Sequence, residues 1–364
     1  MRKDNRFSLF FIYVIIMKVK DMQEKINKII WGSFILLTIG FFVLFIWNEY
    51  KSRNALKAYN TKIFYMDTYI YINVYSNNKN QAKAALEKAN DIYQYYHQLT
   101  NRFEEYKDIH NLYYIKNNSS KKEYITLDPE LYNMIKLGKE WYQKSNHLID
   151  ISMGNVIDVW KEYRSKETGI PTIKELKKAH TDTIDDIILK ENKIKNNHVN
   201  IDLGCLAKGY ATDKVATYFK SQGIDTFLIN AGGNVLVGNH YQNDKYKVGI
   251  ENPTSSIGDI YTKIKVNNKA IVTSGGYERF YEYKGKKYHH VIHPDTLFPN
   301  NDKLSVTIIS NNSTEADLLS TMLFLMPTNE GKKYVDETKQ LEATWYISEK
   351  EQIESSHFKE YVFE

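Results

Sequence analysis

The spacing of apolar and polar residues separates a hydrophobic N-terminal stretch from a longer part that contains both helices and strands. Residues 29–47 carry no charged side chain, and this length can cross a bilayer core as a helix. Residues 81–100 and 129–145 predict longer helices, and residues 171–180 predict a short surface helix. Between them, runs rich in β-branched and aromatic residues end in glycine turns, which indicates strands. We therefore expect one membrane helix followed by a globular part of about 300 residues, which is long enough to bury a substantial core.

The most informative helix is predicted near the C-terminus. Asn312 followed by Glu315 is a helix start signal, and Pro327 predicts the end of the helix. Within it, Asp317 and Thr321 are four residues apart and share one face among apolar neighbours. One carboxylate with neutral oxygens suits a Mg²⁺ ion that shares its ligands with a substrate phosphate, whereas zinc would need His or Cys. The alternative is a buried helix whose hydroxyls bond back to the preceding turn.

A second candidate site lies in residues 198–223, which predict a strand, a glycine turn and an amphipathic helix that ends at Gly223. The N-terminus of such a helix presents backbone N–H groups to an anion, and Lys208 adds a cation there. Asp202, at the end of the strand, offers an acceptor for a base or a hydroxyl. The spacing matches neither the phosphate loop nor the dinucleotide fingerprint. Ordinary strand-to-helix turn chemistry therefore remains an equal alternative.

Two further glycine pairs and a histidine-rich strand follow. Residues 229–235 and 272–279 each contain a Gly-Gly pair, which permits close approach of a ligand but is also explained by hairpin geometry. The strand over residues 287–293 carries three histidines. A metal cluster is one interpretation, but neighbouring strand residues such as His289 and His290 point to opposite faces. No Cys or carboxylate completes a ligand set there.

Seven motifs occur in a fixed order along the globular part. They are Met66-Asp-Thr, Asp150-Ile-Ser-Met-Gly, Asp202-Leu-Gly-Cys-Leu-Ala-Lys-Gly, Asn230-Ala-Gly-Gly-Asn, Thr273-Ser-Gly, His290-Val-Ile-His-Pro and Ala316-Asp-Leu-Leu-Ser-Thr. In this order the motifs resemble those of the ApbE family of FAD:protein FMN transferases, and the resemblance covers roughly residues 62–350. It implies an α+β, two-lobed fold with mixed β-sheets flanked by helices. It also implies that FAD binds in the cleft between the lobes, with Mg²⁺ near its pyrophosphate.

The resemblance assigns the metal ligands. Asp317 and Thr321 would bind Mg²⁺ with Ser320 alongside. Cys205 would contribute its backbone carbonyl oxygen. A carbonyl is the chemically sensible donor, because a thiol is too soft for Mg²⁺.

By the same resemblance, FAD would be held by residues from five parts of the chain. The expected contacts are Met66, Phe103, Leu148, Ile149, Asp150, Asp202, Lys208 and Ile292. His290 would act as general base, since imidazole accepts a proton near neutral pH. The implied reaction transfers FMN from FAD to a hydroxyl in a Ser/Thr-Gly-Ala-Ser/Thr-like motif of a partner flavoprotein, and AMP leaves. Mg²⁺ is the implied cofactor, and FAD is a substrate.

Three positions depart from the family pattern. Asp67 stands in place of a glycine, which could change how the strand approaches the adenine or ribose. His293 stands in place of an aspartate that could orient His290. Because His293 is three residues from His290 on a strand that ends at Pro294, we expect it to face elsewhere and to matter less. The last glycine of the His290 motif is replaced around Leu297 and Phe298.

The flanks predict the organisation of the chain and its location. We expect a basic cytoplasmic N-terminus over residues 1–28, a transmembrane anchor over 29–47, a linker over 48–61, the catalytic domain over 62–350 and a C-terminal tail over 351–364. Lys18, Lys20, Lys25 and Lys28 precede the anchor, which favours an N-terminus inside the cell and an exported catalytic domain. The absence of a small-residue cleavage site, and of a cysteine for lipid attachment, favours an uncleaved anchor. Met22 opens a compact basic leader, so the preceding residues could belong to an over-extended start.

Composition argues against two classes of protein. The formal charge of +5 is spread over 364 residues and gives no indication of nucleic-acid binding. The single cysteine, Cys205, rules out an internal disulfide framework. Two alternatives to the transferase stay open: a non-enzymatic, membrane-anchored FAD-binding protein, and a Mg²⁺-dependent FAD pyrophosphatase that uses water as acceptor. The pair of Asp317 and Thr321 favours the enzymes, because mere FAD capture needs no metal at the pyrophosphate.

Overall fold

The computed structural model describes residues 6–242, 244–255 and 258–363. The chain divides into two compact units, Met1–Lys57 and Ala58–Glu364. The first unit contains helix α1 (Arg6–Asn54), in which the stretch Tyr13–Trp47 is long and apolar enough to cross a membrane. This helix confirms the predicted apolar helix near the N-terminus.

Helix α1 is longer than the predicted anchor over residues 29–47. Residues 18–28 continue the helix, because their mostly straight-chain polar residues favour it and no Gly or Pro interrupts them. Residues 48–61, predicted as a linker, contain the end of α1, which continues to Asn54, and the start of a strand at Lys57. Residues 1–5 of the predicted cytoplasmic N-terminus lie outside the described residues.

Helices and strands are interspersed along the rest of the chain. The helices are α2 (Lys79–Thr100), α3 (Leu112–Asn118), α4 (Pro129–Lys144), α5 (Gly154–Lys166), α6 (Ile173–Ala179), α7 (Ala207–Ser221), α8 (Ser313–Leu325) and α9 (Thr328–Glu337). The strands are β1 (Lys57–Tyr65), β2 (Thr68–Ser76), β3 (Ile125–Thr126), β4 (Ile187–Lys190), β5 (Lys193–Asn196), β6 (Phe227–Ala231), β7 (Asn234–Val237), β8 (Tyr246–Glu251), β9 (Ile260–Val266), β10 (Lys269–Gly275), β11 (Phe280–Tyr283), β12 (Lys286–His289), β13 (Ser305–Ser310), β14 (Glu342–Ser348) and β15 (Glu351–Glu354). Short 3-10 helices occupy Ile184–Asp186 and Phe358–Glu360.

Eight strands form the central sheet in the order β1-β2-β6-β7-β10-β13-β14-β15. The pairs from β2 to β15 are antiparallel, so the central sheet is antiparallel where mixed sheets were expected. Strands β3, β4 and β5 form a small sheet, and β8–β9 and β11–β12 form two-stranded sheets. Helices flank the central sheet, which confirms the α+β fold.

Neighbouring residues of the central strands alternate between two apolar cores, as side chains on a strand do. Val272 and Ile308 pack in the main core with helices α2, α7 and α8. Ile271 and Ile309 pack on the other face, in a core that includes strands β8 and β9. A third, smaller core forms around Trp160 of α5 and includes residues of β11 and β12.

Short-range signals located the helix ends well. Helix α8 begins after Asn312, whose side chain accepts a hydrogen bond from the Glu315 amide at 2.8 Å, and it ends before Pro327. Helix α7 ends at Ser221, and Gly223 has a φ of +71°, the left-handed conformation expected of glycine after a helix. The bounds of α2, α4 and α6 lie within two residues of those predicted. These predictions are confirmed.

The predicted C-terminal tail over residues 351–364 instead belongs to the fold. Strand β15 pairs with β14 at the edge of the central sheet. Phe358 is fully buried in the core that includes β8 and β9. The sequence gives little sign of this, because an edge strand with exposed residues tolerates a polar sequence such as Glu-Gln-Ile-Glu. Glu364 lies outside the described residues.

Two departures from the family pattern keep a glycine-like backbone. Met66 and Asp67 form the turn between β1 and β2 with φ of 54° and 56°, and Leu297 has a φ of 61°. The left-handed region costs an L-residue roughly 1–2 kcal/mol, and aspartate tolerates it better than most. Asp67 and Leu297 therefore stand at positions whose backbone conformation also suits glycine.

Candidate active site

Every predicted site residue except Ser320 lines one cavity of about 400 Å³ in the second unit. The cavity lies between the main core, to which Leu203 belongs, and the smaller core, to which Met153 and Ile292 belong. Its walls come from the β1–β2 turn, the end of α2, one side of α5, the segment before α7, the end of β10, and α8. Residues predicted from separate parts of the chain are thus brought together.

Helix α8 presents the carboxylate of Asp317 to this cavity. Asp317 is only 4% exposed. Its Oδ2 accepts a hydrogen bond from the Gly209 amide at 2.9 Å, and its Oδ1 lies 3.9 Å from Nζ of Lys208. Burial raises the pKa of Asp317, and the Lys208 charge and the Gly209 amide partly offset that effect. A further cation beside the Asp317 carboxylate, in addition to Lys208, would favour the charged form of the carboxylate.

Close contact between α7 and α8 depends on Gly209. A Cβ atom at this position would lie 2.4 Å from the Ser313 carbonyl oxygen and 2.9 Å from Cβ of Asp317. The Gly209 amide donates to Asp317, whereas in a regular helix it would donate to the Cys205 carbonyl four residues earlier. The Cys205 carbonyl oxygen therefore accepts no backbone hydrogen bond from the described residues, and Cys205 lines the cavity.

Both ends of α8 are fixed by side chains from outside the helix. Asp213 of α7 accepts hydrogen bonds from the first two amides of α8 at 2.9 and 2.8 Å. Lys303, whose side chain is fully buried, donates to the carbonyl oxygens of Phe324 and Met326 at 3.1 and 2.9 Å. A carboxylate at the N-terminus and an ammonium at the C-terminus both complement the helix dipole. The position of Asp317 is therefore firmly set.

The hydroxyl groups that follow Asp317 bond back to their own helix, as one interpretation of the sequence expected. Thr321 Oγ1 donates to the Asp317 carbonyl oxygen at 3.2 Å, and Ser320 Oγ donates to it at 2.9 Å. Thr321 still lines the cavity, where the lone pairs of its hydroxyl oxygen can accept a hydrogen bond or bind a metal ion. Ser320 is fully buried, bonds to Ser274 Oγ at 2.8 Å and is not among the lining residues. The structure thus puts Ser320 behind the cavity wall, next to the proposed metal ligand Thr321.

The donors in this part of the cavity fit Mg²⁺. The Asp317 carboxylate, the Thr321 hydroxyl and the Cys205 carbonyl are hard oxygen ligands, which Mg²⁺ combines with water and phosphate oxygens. Burial raises the pKa of the Cys205 thiol, so its sulfur stays protonated and is a poor metal ligand. In the part of the chain that the structure describes, no group of three or more His, Cys, Asp or Glu residues could hold a metal.

His290 lines the same cavity. Its Nδ1 atom is buried and has no hydrogen-bond partner among the described residues. Burial lowers the pKa of His290 to about 3, and nearby positive charges, led by Arg279, contribute. The imidazole is therefore neutral at pH 7 and can accept a proton.

The other two histidines of this region take part in local bonds. Nε2 of His289 lies 2.6 Å from the Asn300 carbonyl oxygen, and the side chain is 3% exposed. Nδ1 of His293 accepts a hydrogen bond from the Asp295 amide at 3.2 Å. Neither residue lines the cavity. These positions agree with the expectation that the His290 side chain faces a different side from those of His289 and His293.

The sequence interpretation missed several charged residues that the cavity collects. They are Arg102, Lys161, Arg164, Glu278 and Arg279. Arg279 donates to the Asp67 carbonyl oxygen at 2.8 Å and so connects the loop after β10 with the β1–β2 turn. Burial, with the Arg279 charge, lowers the pKa of Arg164, and burial raises the pKa of Glu278. Isolated charges carry no local sequence signal, although Glu278 and Arg279 lie in a glycine-turn segment that the sequence singled out.

Comparison with known proteins gives consistent matches. Residues 66–345 match the ApbE family. The FAD:protein FMN transferase of Klebsiella pneumoniae (strain 342) is 25% identical over 246 residues, which cover 66% of this chain and 76% of that protein. The FAD:protein FMN transferase of Buchnera aphidicola subsp. Schizaphis graminum is 30% identical over 225 residues, which cover 59% of this chain and 66% of that protein.

Solved structures share the fold. The ApbE protein of Thermotoga maritima aligns with a TM-score of 0.76 at 24% identity, covering 85% of this chain and 100% of that one. The flavin transferase ApbE of Vibrio cholerae aligns with a TM-score of 0.73 at 21% identity, covering 84% of this chain and 99% of that one. Together with the match over residues 66–345, these likenesses lead to one conclusion: the chain belongs to the ApbE family.

Proposed function

We propose that the protein is an FAD:protein FMN transferase, which attaches FMN from FAD to a Ser or Thr hydroxyl of a partner flavoprotein. In this proposal the reaction depends on Mg²⁺ and releases AMP. The relatives matched above are FAD:protein FMN transferases, which supports the reaction class. The observation that carries the proposal is one cavity that contains the hard oxygen donors around Asp317 and the His290 Nδ1 atom, which has no hydrogen-bond partner among the described residues. Phosphoryl transfer to a hydroxyl needs such charge stabilisation and a proton acceptor.

The oxygen donors around Asp317 would hold Mg²⁺ beside the FAD pyrophosphate. Bound there, the ion would neutralise charge that develops on the phosphate oxygens. Lys208 adds a positive charge at the start of α7, 3.9 Å from Asp317 Oδ1. The amides at the same helix start favour an anion through the helix dipole. This part of the cavity therefore suits a pyrophosphate.

His290 would take the proton from the acceptor hydroxyl. The hydroxyl oxygen would bond to the phosphorus on the FMN side, and the bond from that phosphorus to the AMP phosphate would break. With its pKa lowered to about 3, His290 is unprotonated before substrates bind. The negative pyrophosphate would raise this pKa, because it offsets the positive charges of Arg279 and Lys208. His290 would thus become a stronger base once FAD is present.

The remaining parts of FAD would lie along the rest of the cavity. The residues proposed for these contacts are Met66, Phe103, Leu148, Ile149, Asp150, Asp202 and Ile292, which all line it. The Phe103 side chain is 48% exposed and offers a ring for stacking on the flavin. The Asp202 side chain is 22% exposed and offers an acceptor for a hydroxyl or a base.

A pyrophosphatase and a simple FAD-binding protein are the alternatives to be tested. The chain would be incubated with FAD, Mg²⁺ and an acceptor that carries a Ser/Thr-Gly-Ala-Ser/Thr-like motif, or with the same acceptor after its hydroxyl residue is changed to alanine. The proposal predicts AMP release only with the intact acceptor, and no free FMN. Equal amounts of AMP and free FMN without acceptor would indicate the pyrophosphatase. Tight FAD binding without any AMP would indicate the binding protein.

We further propose that α1 anchors the protein in the cytoplasmic membrane, with the catalytic unit outside. The support is the apolar stretch Tyr13–Trp47 together with Lys25 and Lys28, which lie close before the wholly uncharged residues 29–47. Protease added to intact protoplasts should then release a flavin-binding fragment that contains the catalytic unit. Protection of that fragment until the membrane is lysed would reverse the orientation.

A further inference from the structure

Arg102, which follows the C-cap residue Asn101 of α2, has a side chain that is only 5% exposed. Its Nε lies 2.8 Å from Oδ2 of Asp202, and its Nη1 lies 2.8 Å from Oδ1 of Asp158. A buried guanidinium requires such charge partners. The two carboxylates come from different parts of the fold, because Asp158 lies on α5 and Asp202 precedes α7. Arg102 therefore joins three segments of the cavity wall.

The bond from Arg102 fixes the orientation of Asp202. Oδ2 of Asp202 contacts Arg102, and Oδ1 accepts a hydrogen bond from the Gly204 amide at 2.8 Å. Partners on both oxygens define the plane of the carboxylate. Asp202 nevertheless lines the cavity, so its remaining lone pairs can accept hydrogen bonds from a ligand.

Arg102 also contacts the ring of Phe103. The guanidinium carbon lies 4.4 Å from the ring centroid, and Nζ of Lys161 lies 3.6 Å from it. Lys161 is three residues after Asp158 on α5, so the helix bonded to Arg102 also supplies the second cation. These cation–π contacts restrict a ring that is otherwise half exposed.

We propose that Arg102 is a positioning residue of the FAD site, which holds the Asp202 carboxylate and the Phe103 ring in their binding orientation before FAD arrives. The inference rests on the proposed function, in which both of these side chains contact FAD. Groups that are already ordered lose less freedom when a ligand binds, so affinity rises. Arg102 makes no described contact with His290 or with Asp317. Its effect should therefore fall on FAD affinity more than on the rate of transfer.

A double-mutant cycle in the full chain tests this role, with FAD binding followed by flavin fluorescence. Arg102→Gln and Asp202→Asn should each weaken FAD binding by roughly tenfold or more, a loss that corresponds to one unit of log Kd. The double variant should bind within about twofold of the weaker single variant, because both changes remove the same interaction. The rate of FMN transfer at saturating FAD should change less than the dissociation constant. Losses that multiply in the double variant, or unchanged affinity in Arg102→Gln, would overturn the proposal.

Two further variants separate positioning from general stability. Arg102→Lys keeps the charge but cannot span both carboxylates, so it should also weaken FAD binding; it decides the matter if Arg102→Gln does not fold. Glu130→Gln is the matched control, because Glu130 is bonded to Lys214 at 2.8 Å and does not line the cavity. It should lower the melting temperature and leave FAD affinity unchanged. If Glu130→Gln weakens FAD binding as much as the Arg102 variants, the role of Arg102 is only structural. Failure of the unmodified chain to bind FAD would refute the proposed function itself.

Discussion

The two functional parts of the cavity differ in how far the protein satisfies its own polar groups. Around Asp317, the side chains have partners: the carboxylate is bonded to Gly209, the Thr321 hydroxyl is bonded to its own helix, and both ends of α8 are capped by charged side chains. Around His290, the described residues give Nδ1 no partner, and Arg279 and Arg164 add positive charge that disfavours protonation. The Asp317 carboxylate is therefore hydrogen-bonded before substrate binds, whereas Nδ1 of His290 is not bonded to any described residue.

This difference matches what each part is proposed to hold. Mg²⁺ and a pyrophosphate are the same in every turnover, so a rigid, preorganised set of donors serves them best. The acceptor hydroxyl arrives on a separate protein and must find a base with a free nitrogen. A buried base without a partner is costly to the folded state. We infer that the cost is retained because substrates complete this part of the site.

The largest effect on FMN transfer should come from substitution of Asp317. Asp317→Ala removes the only carboxylate among the proposed Mg²⁺ ligands, so FMN transfer should be abolished, a greater loss than the roughly 10²- to 10³-fold cost of removing a single electrostatic donor. Some flavin binding should remain, because the rest of the cavity is intact. Transfer assays at saturating Mg²⁺, with FAD binding measured in parallel, check this. Full activity in the variant would remove Asp317 from the metal site.

Cys205→Ala is the matched control for the metal ligands. If only the Cys205 carbonyl binds Mg²⁺, the variant keeps that carbonyl and should retain most activity. A loss as complete as that of Asp317→Ala would implicate the thiol instead.

Substitution of His290 should change the rate of FMN transfer and not the affinity for FAD. His290→Asn should slow single-turnover FMN transfer by roughly 10²- to 10⁴-fold and leave FAD affinity nearly unchanged, because a general base acts on the acceptor proton. His293→Asn should have a smaller effect, since His293 does not line the cavity. Normal transfer by His290→Asn together with a defect in His293→Asn would reverse the assignment.

A moderate effect should follow when α7 and α8 are pushed apart. Gly209→Ala would place a methyl group 2.4 Å from the Ser313 carbonyl oxygen, so the helices must move. We expect a loss of about 1–3 kcal/mol in the free energy of unfolding, as for other overpacked sites, and weaker Mg²⁺ dependence of FAD binding. Lys220→Ala, an exposed change on the same helix, should leave both measurements unchanged. Wild-type Mg²⁺ dependence in Gly209→Ala would show that the contact does not shape the metal site.

The smallest effect concerns stability at acid pH. The pKa of His290 is lowered to about 3 in the folded protein, so between pH 6.5 and 3 the unfolded chain takes up a proton that the folded chain does not. Stability from this group is therefore present above pH 6.5 and lost as the pH falls. Relative to His290→Asn, the wild type should lose up to about 1.4 kcal/mol per pH unit in this window. Urea unfolding of both proteins at pH 7.5 and pH 5 measures the difference, and parallel losses would contradict it.

Features set by a few neighbouring residues could be predicted from the sequence. The Asn312 cap, the end of α7 before Gly223 and the four-residue spacing of Asp317 and Thr321 all depend on interactions within one or two helical turns. These interactions depend only on neighbouring residues, so they do not require knowledge of the tertiary contacts. The ordered motifs, through their resemblance to the family, also predicted the α+β fold and part of the set of residues that line the cavity.

Features set by contacts between distant segments could not be predicted. Gly209 and Asp317 are 108 residues apart, and nothing near either position reveals that the amide bonds to the carboxylate. The same holds for Arg102, whose two carboxylate partners lie on other elements. The ends of the globular part were misplaced for a related reason. Strands β1 and β15 are edge strands, where polar residues face water and weaken the strand pattern.

One measurement tests the central claim most directly: the intact mass of an acceptor protein after incubation with this chain and FAD. The account predicts that the acceptor gains one FMN, linked through a phosphoester, only when Mg²⁺ is present. It also predicts that the gain disappears when the acceptor hydroxyl residue is replaced by alanine, and in Asp317→Ala. An acceptor whose mass stays unchanged, while FAD is bound or is cleaved to free FMN and AMP, would contradict the account.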